Sequence, residues 1–339
     1  MQNPFITTFS KNPDISYVYT EKTDEILNNF SYEKPSESVY KITGVRGSGK
    51  TVILAKIEEA IRSEEMKKKG WLVFDVNPTR DLLHQIASML VNEGFGKSRT
   101  KNKNIDISEG SAFFDIGVEI EEMLKLVQKK NKKIFIGIDE VTKTKEMVQF
   151  ASEFGKWLRA DYPVYLVCTG LYENIMEVSN VKNLTFFRRA VTVQTEKLNE
   201  VRMAGMYSRL LSIEMEEARK MAKITKGYAY AFQELGSLYF NKKKEETLDD
   251  LIPALKTELF AYSYEKIWEE LTEGDRSMVK LLTLKTEYKR DEVLKLMGER
   301  KGNYSMYRDR LLKRGLLESW QAYISFSLPF FADYINEYC

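Results

Sequence analysis

The stretch Gly44-Val45-Arg46-Gly47-Ser48-Gly49-Lys50-Thr51 constrains this chain more than any other. It fits the spacing G-x-x-x-x-G-K-[ST], and the chemistry of a phosphate chain explains the residue types. Backbone N–H groups must wrap an anion closely, and glycine lets the backbone come near enough. Lys50 then reaches the β- and γ-phosphates, and the Thr51 hydroxyl is a ligand for Mg²⁺. The context agrees. VYKIT before the loop reads as a buried strand. KTVILAKIEEAIRSEE after it reads as an amphipathic helix with its N-terminus toward the anion. The whole run from Gly44 to Val52 is therefore the candidate phosphate-binding segment.

A loop of this kind needs a partner that holds a metal and activates water. KKIFIGIDEV supplies an apolar strand, Ile134 to Ile138, that ends in Asp139 and Glu140. Asp139 is the candidate metal ligand, direct or through water, and Glu140 the candidate group that polarises an attacking water. Further apolar runs begin at Trp71, Pro163 and Ala190, separated by helical patterns at 81–92, 113–130 and 145–159. Strands that are apolar throughout are covered on both faces, as in a parallel sheet with helices on either side. The α/β class follows. The polar, breaker-rich run from Gly94 to Ser111 reads as a surface loop.

From about Asn199 the strands stop and helices succeed one another. NKKKEETLDD is a charged connector or the solvated start of a helix. From about Tyr264 three short helical patterns are followed by an alternating strand and a closing apolar piece. That order matches a winged helix–turn–helix. The expected division is 1–198, a nucleotide-binding domain; 199–262, a helical lid; and 263–339, a winged helix.

The rest of the composition mainly excludes. The 339 residues carry a formal net charge of +2, so a nucleic-acid surface has to be a local patch. The two cysteines, Cys168 and Cys339, stand far apart without metal-ligand spacing. A reduced, cytoplasmic setting is expected. No apolar run reaches the ~18–20 residues that span a bilayer, and the opening MQNPFITTFSKNP lacks the pattern of a signal peptide. His84 lies in RDLLHQIASML with no nucleophile pattern beside it, and reads as a helix-face histidine with a local partner.

Together these residues resemble the AAA+ ATPases with a C-terminal winged helix, of the origin-recognition type and the archaeal-type ATPases related to the STAND class. The resemblance covers nearly the whole chain and begins with the N-P-F lead-in of NPFITTFSKNP. It implies a five-stranded parallel sheet in the order 5-1-4-3-2, ATP or ADP as the bound cofactor with Mg²⁺, and ATP hydrolysis. Val18 falls in the box beside the adenine, which here reads Val18-Tyr19-Thr20 where the family has V-G-R. Thr169, at the end of YLVCTG, falls at the position where a hydroxyl touches the γ-phosphate or the water; otherwise it is an ordinary strand-end residue. Arg188 and Arg189 precede the fifth strand where the family carries an arginine finger for a neighbouring subunit; the alternative is a solvated or acid-paired couple. Gly227-Tyr228-Ala229-Tyr230 replaces the usual proline or sensor arginine, and Tyr228 or Tyr230 is then expected against the base.

The weak sensor region argues for a switch with slow hydrolysis. Its first expected output is double-stranded DNA. Between Lys285 and Arg314 ten Lys/Arg face five Asp/Glu, and Tyr304, Tyr307, Arg308, Arg310, Lys313 and Arg314 are the candidate DNA contacts. The second is a protein partner docked by the winged helix. A homo-oligomer is compatible with either.

Overall fold

The computed structural model describes residues 2–8, 13–96 and 115–339. It divides into two compact units. One comprises residues 1–24, 43–52 and 194–339; the other comprises 25–42 and 53–193.

The unit built on 25–42 and 53–193 holds the large sheet. Its strands are β1 (Val39–Thr43), β2 (Trp71–Val76), β3 (Lys133–Ile138), β4 (Val164–Gly170) and β5 (Val191–Gln194). Their order is β2-β3-β4-β1-β5, which is 5-1-4-3-2 read from the other edge. β2 pairs in parallel with β3 and β3 with β4, in register at Phe74↔Ile136 and Ile136↔Leu166. The central strands β3 and β4 are largely apolar on both faces because helices cover both sides of the sheet. α4 (Leu82–Asn92), α5 (Ile116–Lys129) and α6 (Lys145–Arg159) share one core cluster with Ile134, Ile136, Ile138 and Leu166. α1 (Glu21–Ser31) and α2 (Lys50–Ile61) contribute Ile26, Phe30, Ile53, Leu54 and Ile57 to a second cluster, with Tyr40, Ile42, Phe135 and Val167. The remaining helices here are α3 (Glu64–Lys68), α7 (Tyr172–Ser179) and α8 (Thr185–Arg189).

Side-chain caps fix several helix starts. Asp81 accepts from the His84 N–H at α4, Asp115 from Gly117 at α5 and Thr144 from Met147 at α6. With Asp115 as its cap, α5 begins at Ile116; positions 113 and 114 of the expected helix lie outside the described residues. Most of the predicted surface loop, from residue 97, lies outside the described residues.

In the other unit, α9 (Glu200–Leu211), α10 (Met215–Thr225), α11 (Ala229–Asn241) and α12 (Ile252–Leu259) form the helical part. The N-P-F lead-in is explained here. Phe5 is buried with Tyr207 and Phe232, and a Cβ at Gly236 would stand 2.4 Å from its ring. A π-helical turn, Phe260–Tyr264, leads into α13 (Glu265–Glu269). The C-terminal segment follows as α14 (Glu273–Leu281), β6 (Glu287–Lys289), α15 (Arg290–Met297), α16 (Tyr304–Arg314), β7 (Leu317–Trp320), β8 (Tyr323–Phe326) and α17 (Phe331–Tyr338). β8 pairs antiparallel with both β6 and β7. Strand β6 was not visible in the sequence: its three residues have no length over which alternation shows.

Candidate functional site

The candidate phosphate loop begins where β1 ends. All five β1 residues are buried, so the loop starts from a fixed strand end. Gly47 (φ +70°) and Gly49 (φ +91°) adopt conformations that strain any L side chain. A Cβ at Gly44 would stand 2.0 Å from Thr195 Oγ1 and 2.6 Å from Ser48 Oγ. The Ser48 N–H donates to the Val45 carbonyl at 3.2 Å. Lys50 Nζ donates to the carbonyls of Gly44 and Val45, each at 3.0 Å, so its ammonium lies over the loop. The Ser48 hydroxyl is buried and has no hydrogen-bond partner among the described residues. An orphaned hydroxyl costs about 1–3 kcal/mol; a phosphate oxygen would satisfy it. The loop thus fits an anion by shape, charge and an unfilled donor.

The loop's outer side is also held. Tyr228 Oη donates to the Arg46 carbonyl at 2.6 Å and lies 2.7 Å from Ser263 Oγ. The Tyr230 N–H donates to the Gly47 carbonyl at 3.0 Å. Burial pushes the Tyr228 phenol far above its ordinary range, so it stays a neutral donor. Val18, Val45, Tyr228 and Tyr230 belong to one buried apolar cluster, which brings four of the sequence candidates together. The Arg46 guanidinium pairs with Glu270 at 2.8 Å, partly in solvent, and is worth less than about 1 kcal/mol there.

In the other unit, β3 delivers Asp139 and Glu140, and β4 delivers Thr169. The Thr169 side chain is fully buried. Its hydroxyl donates to Asp139 Oδ1 and accepts the Glu140 N–H at 3.2 Å. One threonine therefore orients the carboxylate and fixes the turn that follows it. Glu140 itself is exposed with φ +56°, a left-handed conformation that costs a non-glycine residue about 1–2 kcal/mol. The bond from Thr169 helps hold it.

Glu58 was missed in the sequence. It lies on α2 and is 6% exposed. Its Oε2 pairs with Arg62 at 3.0 Å, while Oε1 is buried without a hydrogen-bond partner among the described residues. A Cβ at Gly137 would stand 2.0 Å from that oxygen, so the glycine in IFIGID makes room for a carboxyl group. Burial raises its pKa first, then Asp75 and, more weakly, Asp139, against the opposing Arg62. The only sequence signal was a glutamate inside an apolar helical stripe.

Arg188 and Arg189 are exposed at the end of α8, and neither makes an ion pair among the described residues. Behind them lies a second missed residue, Lys41 of β1. It is fully buried, donates to the Phe187 carbonyl at 2.7 Å, and stands 5.3 Å from the Phe187 ring. Burial pushes its pKa down. His84 is exposed on α4 with Nδ1 3.0 Å from Asp81 Oδ2, a local partner of its helix cap.

The six candidate DNA contacts split. Arg310 binds Asp275, which is fully buried, through Nε at 3.0 Å and Nη2 at 2.7 Å. Arg314 is buried and donates to the Glu270 carbonyl at 3.1 Å. Tyr304 is buried, and the Tyr307 ring is packed so closely on Gly274 that a Cβ there would stand 2.5 Å from it. Tyr304, Tyr307 and Arg314 face inward because they share one side of α16 with the buried Leu311, and Arg310 is turned in by its ion pair with Asp275. Arg308 pairs with Asp309 at 3.0 Å. Lys313 is exposed. The solvent side of this segment also shows Met306 (53% exposed) and, at the β7–β8 turn, Trp320 (76%).

Comparison with known proteins adds the following. A family model described as a domain of unknown function (DUF8462) matches residues 261–335. No curated protein matches the sequence. The Walker-type ATPase of Pyrococcus abyssi is similar in structure, with a TM-score of 0.63 at 11% identity over 93% of this chain and 95% of that one. The Aeropyrum pernix ORC2 protein in its ADPNP–ADP complexes gives 0.58 at 12% identity over 96% and 97%. Its ADP form gives 0.50 at 12% over 96% and 98%. The fold is shared with these Walker-type ATPase and ORC2 structures: a five-stranded parallel sheet followed by a C-terminal domain.

Proposed function

We propose that this chain binds ATP with Mg²⁺ and hydrolyses it slowly to ADP and phosphate, acting as a nucleotide-dependent switch. The observation that carries the reading is the complete loop from Gly44 to Thr51, with its left-handed glycines, its curled Lys50 and the orphaned Ser48 hydroxyl. The ADPNP and ADP held by the Aeropyrum pernix protein of the same fold agree with it. In an open parallel sheet, ligands bind beyond the carboxyl ends of the strands. β1 runs into the loop at that end, and β3 runs into Asp139.

The roles follow. Loop N–H groups and Lys50 hold the β- and γ-phosphates, while Val18 and Val45 give an apolar wall for the base. Thr51 and Asp139 are the residues that would hold Mg²⁺, which would supply charge neutralisation on the phosphate oxygens. Glu140 takes the proton of the attacking water, and Thr169 keeps Asp139 aimed. Arg188 and Arg189 serve a neighbouring copy's nucleotide, so full activity requires assembly. Residues 1–198 form the nucleotide-binding domain, 199–262 the lid and 263–339 a winged helix. No helix among the described residues is long and apolar enough to cross a membrane.

The output of the switch is the C-terminal segment acting on duplex DNA. With Tyr304, Tyr307, Arg310 and Arg314 turned inward, the contacts come from exposed Lys295, Arg300, Lys301 and Lys313. A second reading, docking of a protein partner, is favoured by exposed Met306 and Trp320, residue types that anchor interfaces. A salt titration of binding to a mixed-sequence duplex, with ATP and with ADP, separates them. The DNA reading expects affinity that depends on the nucleotide. It also expects Lys301→Ala and Lys313→Ala to flatten the slope of log affinity against log salt, by about 0.9 for each phosphate no longer neutralised. No binding at low salt in either state overturns the DNA output and leaves the protein-docking reading.

A further inference from the structure

We infer that Tyr228 is a positioning residue for the phosphate-binding backbone, with Ser263 as its anchor. The inference rests on reading the loop as the ATP site. It replaces the expectation that this tyrosine packs on the base.

The geometry is specific. A trans peptide sets its C=O and the following N–H in opposite directions. The Arg46 carbonyl is held at 2.6 Å by Tyr228 Oη, so the Gly47 N–H of the same peptide points away from Tyr228, toward the inner side of the loop. The next peptide is treated alike: the Gly47 carbonyl accepts the Tyr230 N–H. Two successive loop carbonyls are thus drawn outward by α11 and its first residues. Gly47 permits the approach, because a Cβ there would stand 2.3 Å from Tyr228 Oη and 2.9 Å from Tyr230 Cβ. Without these partners, a loop rich in glycine would sample many peptide orientations, and ordering it on an anion would cost conformational entropy.

Ser263 completes the arrangement. Tyr228 has one proton, directed at the Arg46 carbonyl, so the Ser263 hydroxyl donates to Tyr228 Oη across 2.7 Å. Ser263 is 1% exposed and lies in the π-helical turn Phe260–Tyr264. Such turns recur at functional sites. The chain loop carbonyl–Tyr228–Ser263 therefore ties phosphate binding to the turn at the head of the C-terminal segment. Movement of that turn loosens the loop.

The test measures the affinity of the whole chain for ATP and ADP by fluorescence competition, for the wild type, Tyr228→Phe and Ser263→Ala. Melting of the nucleotide-free proteins is followed in parallel. Tyr228→Phe keeps the ring and removes the hydroxyl; loss of one hydrogen bond predicts affinity about three- to tenfold weaker for both nucleotides. Ser263→Ala should weaken binding at least twofold. The double variant should be no worse than Tyr228→Phe, because the two hydroxyls act as one unit. A purely structural tyrosine would lower the melting temperature and leave the affinity of the folded protein unchanged, which overturns the inference. A tyrosine that only stacks on adenine gives the same affinity in Tyr228→Phe, since phenylalanine stacks as well; this overturns it too. Should Tyr228→Phe fail to fold, unchanged affinity in Ser263→Ala is the refuting result. A wild type that binds neither nucleotide overturns the ATP reading itself, and is distinguishable from all of these.

Discussion

Glu234→Gln isolates a buried charge on the helix that braces the loop. Glu234 lies on α11, one turn beyond Tyr230, and is 6% exposed. Burial, then repulsion by Glu258, pushes its pKa up to about 7 from an ordinary 4.5. The folded state therefore holds a proton more tightly than the unfolded one. The contribution is most favourable below the unfolded value and is lost as pH rises from 4.5 through 7. At roughly 1.4 kcal/mol for each pH unit between those values, the ionised carboxylate costs the fold about 3 kcal/mol at pH 8. Glutamine keeps the shape and carries no charge at any pH. Urea unfolding at pH 5 and pH 8 should find the variant close to wild type at pH 5 and up to about 3 kcal/mol more stable at pH 8, at equal m-value. A difference between the two proteins that is the same at both pH values refutes the reasoning.

Three further predictions concern the site. Thr169→Val removes the donor to Asp139 and the acceptor for the Glu140 N–H. Phosphate release should fall at least tenfold while ATP affinity stays within about threefold, and equal turnover would show that the threonine is only a strand-end residue. Arg188→Ala with Arg189→Ala should lower hydrolysis, by up to ~10³-fold if the pair acts across subunits. Mixing that variant with Lys50→Ala should restore activity, and a mixture that stays dead while the wild type is oligomeric refutes the role in trans. Lys41→Met tests the buried ammonium: its folded pKa lies below the ordinary lysine value, so the penalty is present at low pH and relieved as pH rises. The stability difference should shift in favour of the wild type between pH 7 and pH 10, and a constant difference contradicts it.

The centre of the sheet was legible because β3 and β4 are largely apolar on both faces and end in recognisable residues. Lys133–Ile138 and Val164–Gly170 lie where their apolar runs lie. The loop's backbone was legible because its glycine spacing anticipates the left-handed conformations of Gly47 and Gly49. Pairings across long separations were not. Nothing in GYAY says that the Tyr228 hydroxyl meets a carbonyl 182 residues earlier, and nothing in VYKIT marks Lys41 as fully buried. The direction of Arg310 depends on Asp275, on another helix. For Arg314 the sequence does carry a signal: Tyr304, Tyr307, Leu311 and Arg314 recur at helical spacing, which puts Arg314 on the side of the apolar Leu311.

The central claim is that the loop from Gly44 to Thr51 holds a nucleotide through Lys50. Calorimetric titration of ATP with Mg²⁺ into the wild type and into Lys50→Ala tests it directly. Lys50 carries the side-chain charge that the motif places on the β- and γ-phosphates. The wild type should bind with saturable heat near one nucleotide per chain, and Lys50→Ala, still folded, should show none. Equal affinity in the two proteins, or no binding by the wild type, would contradict the account.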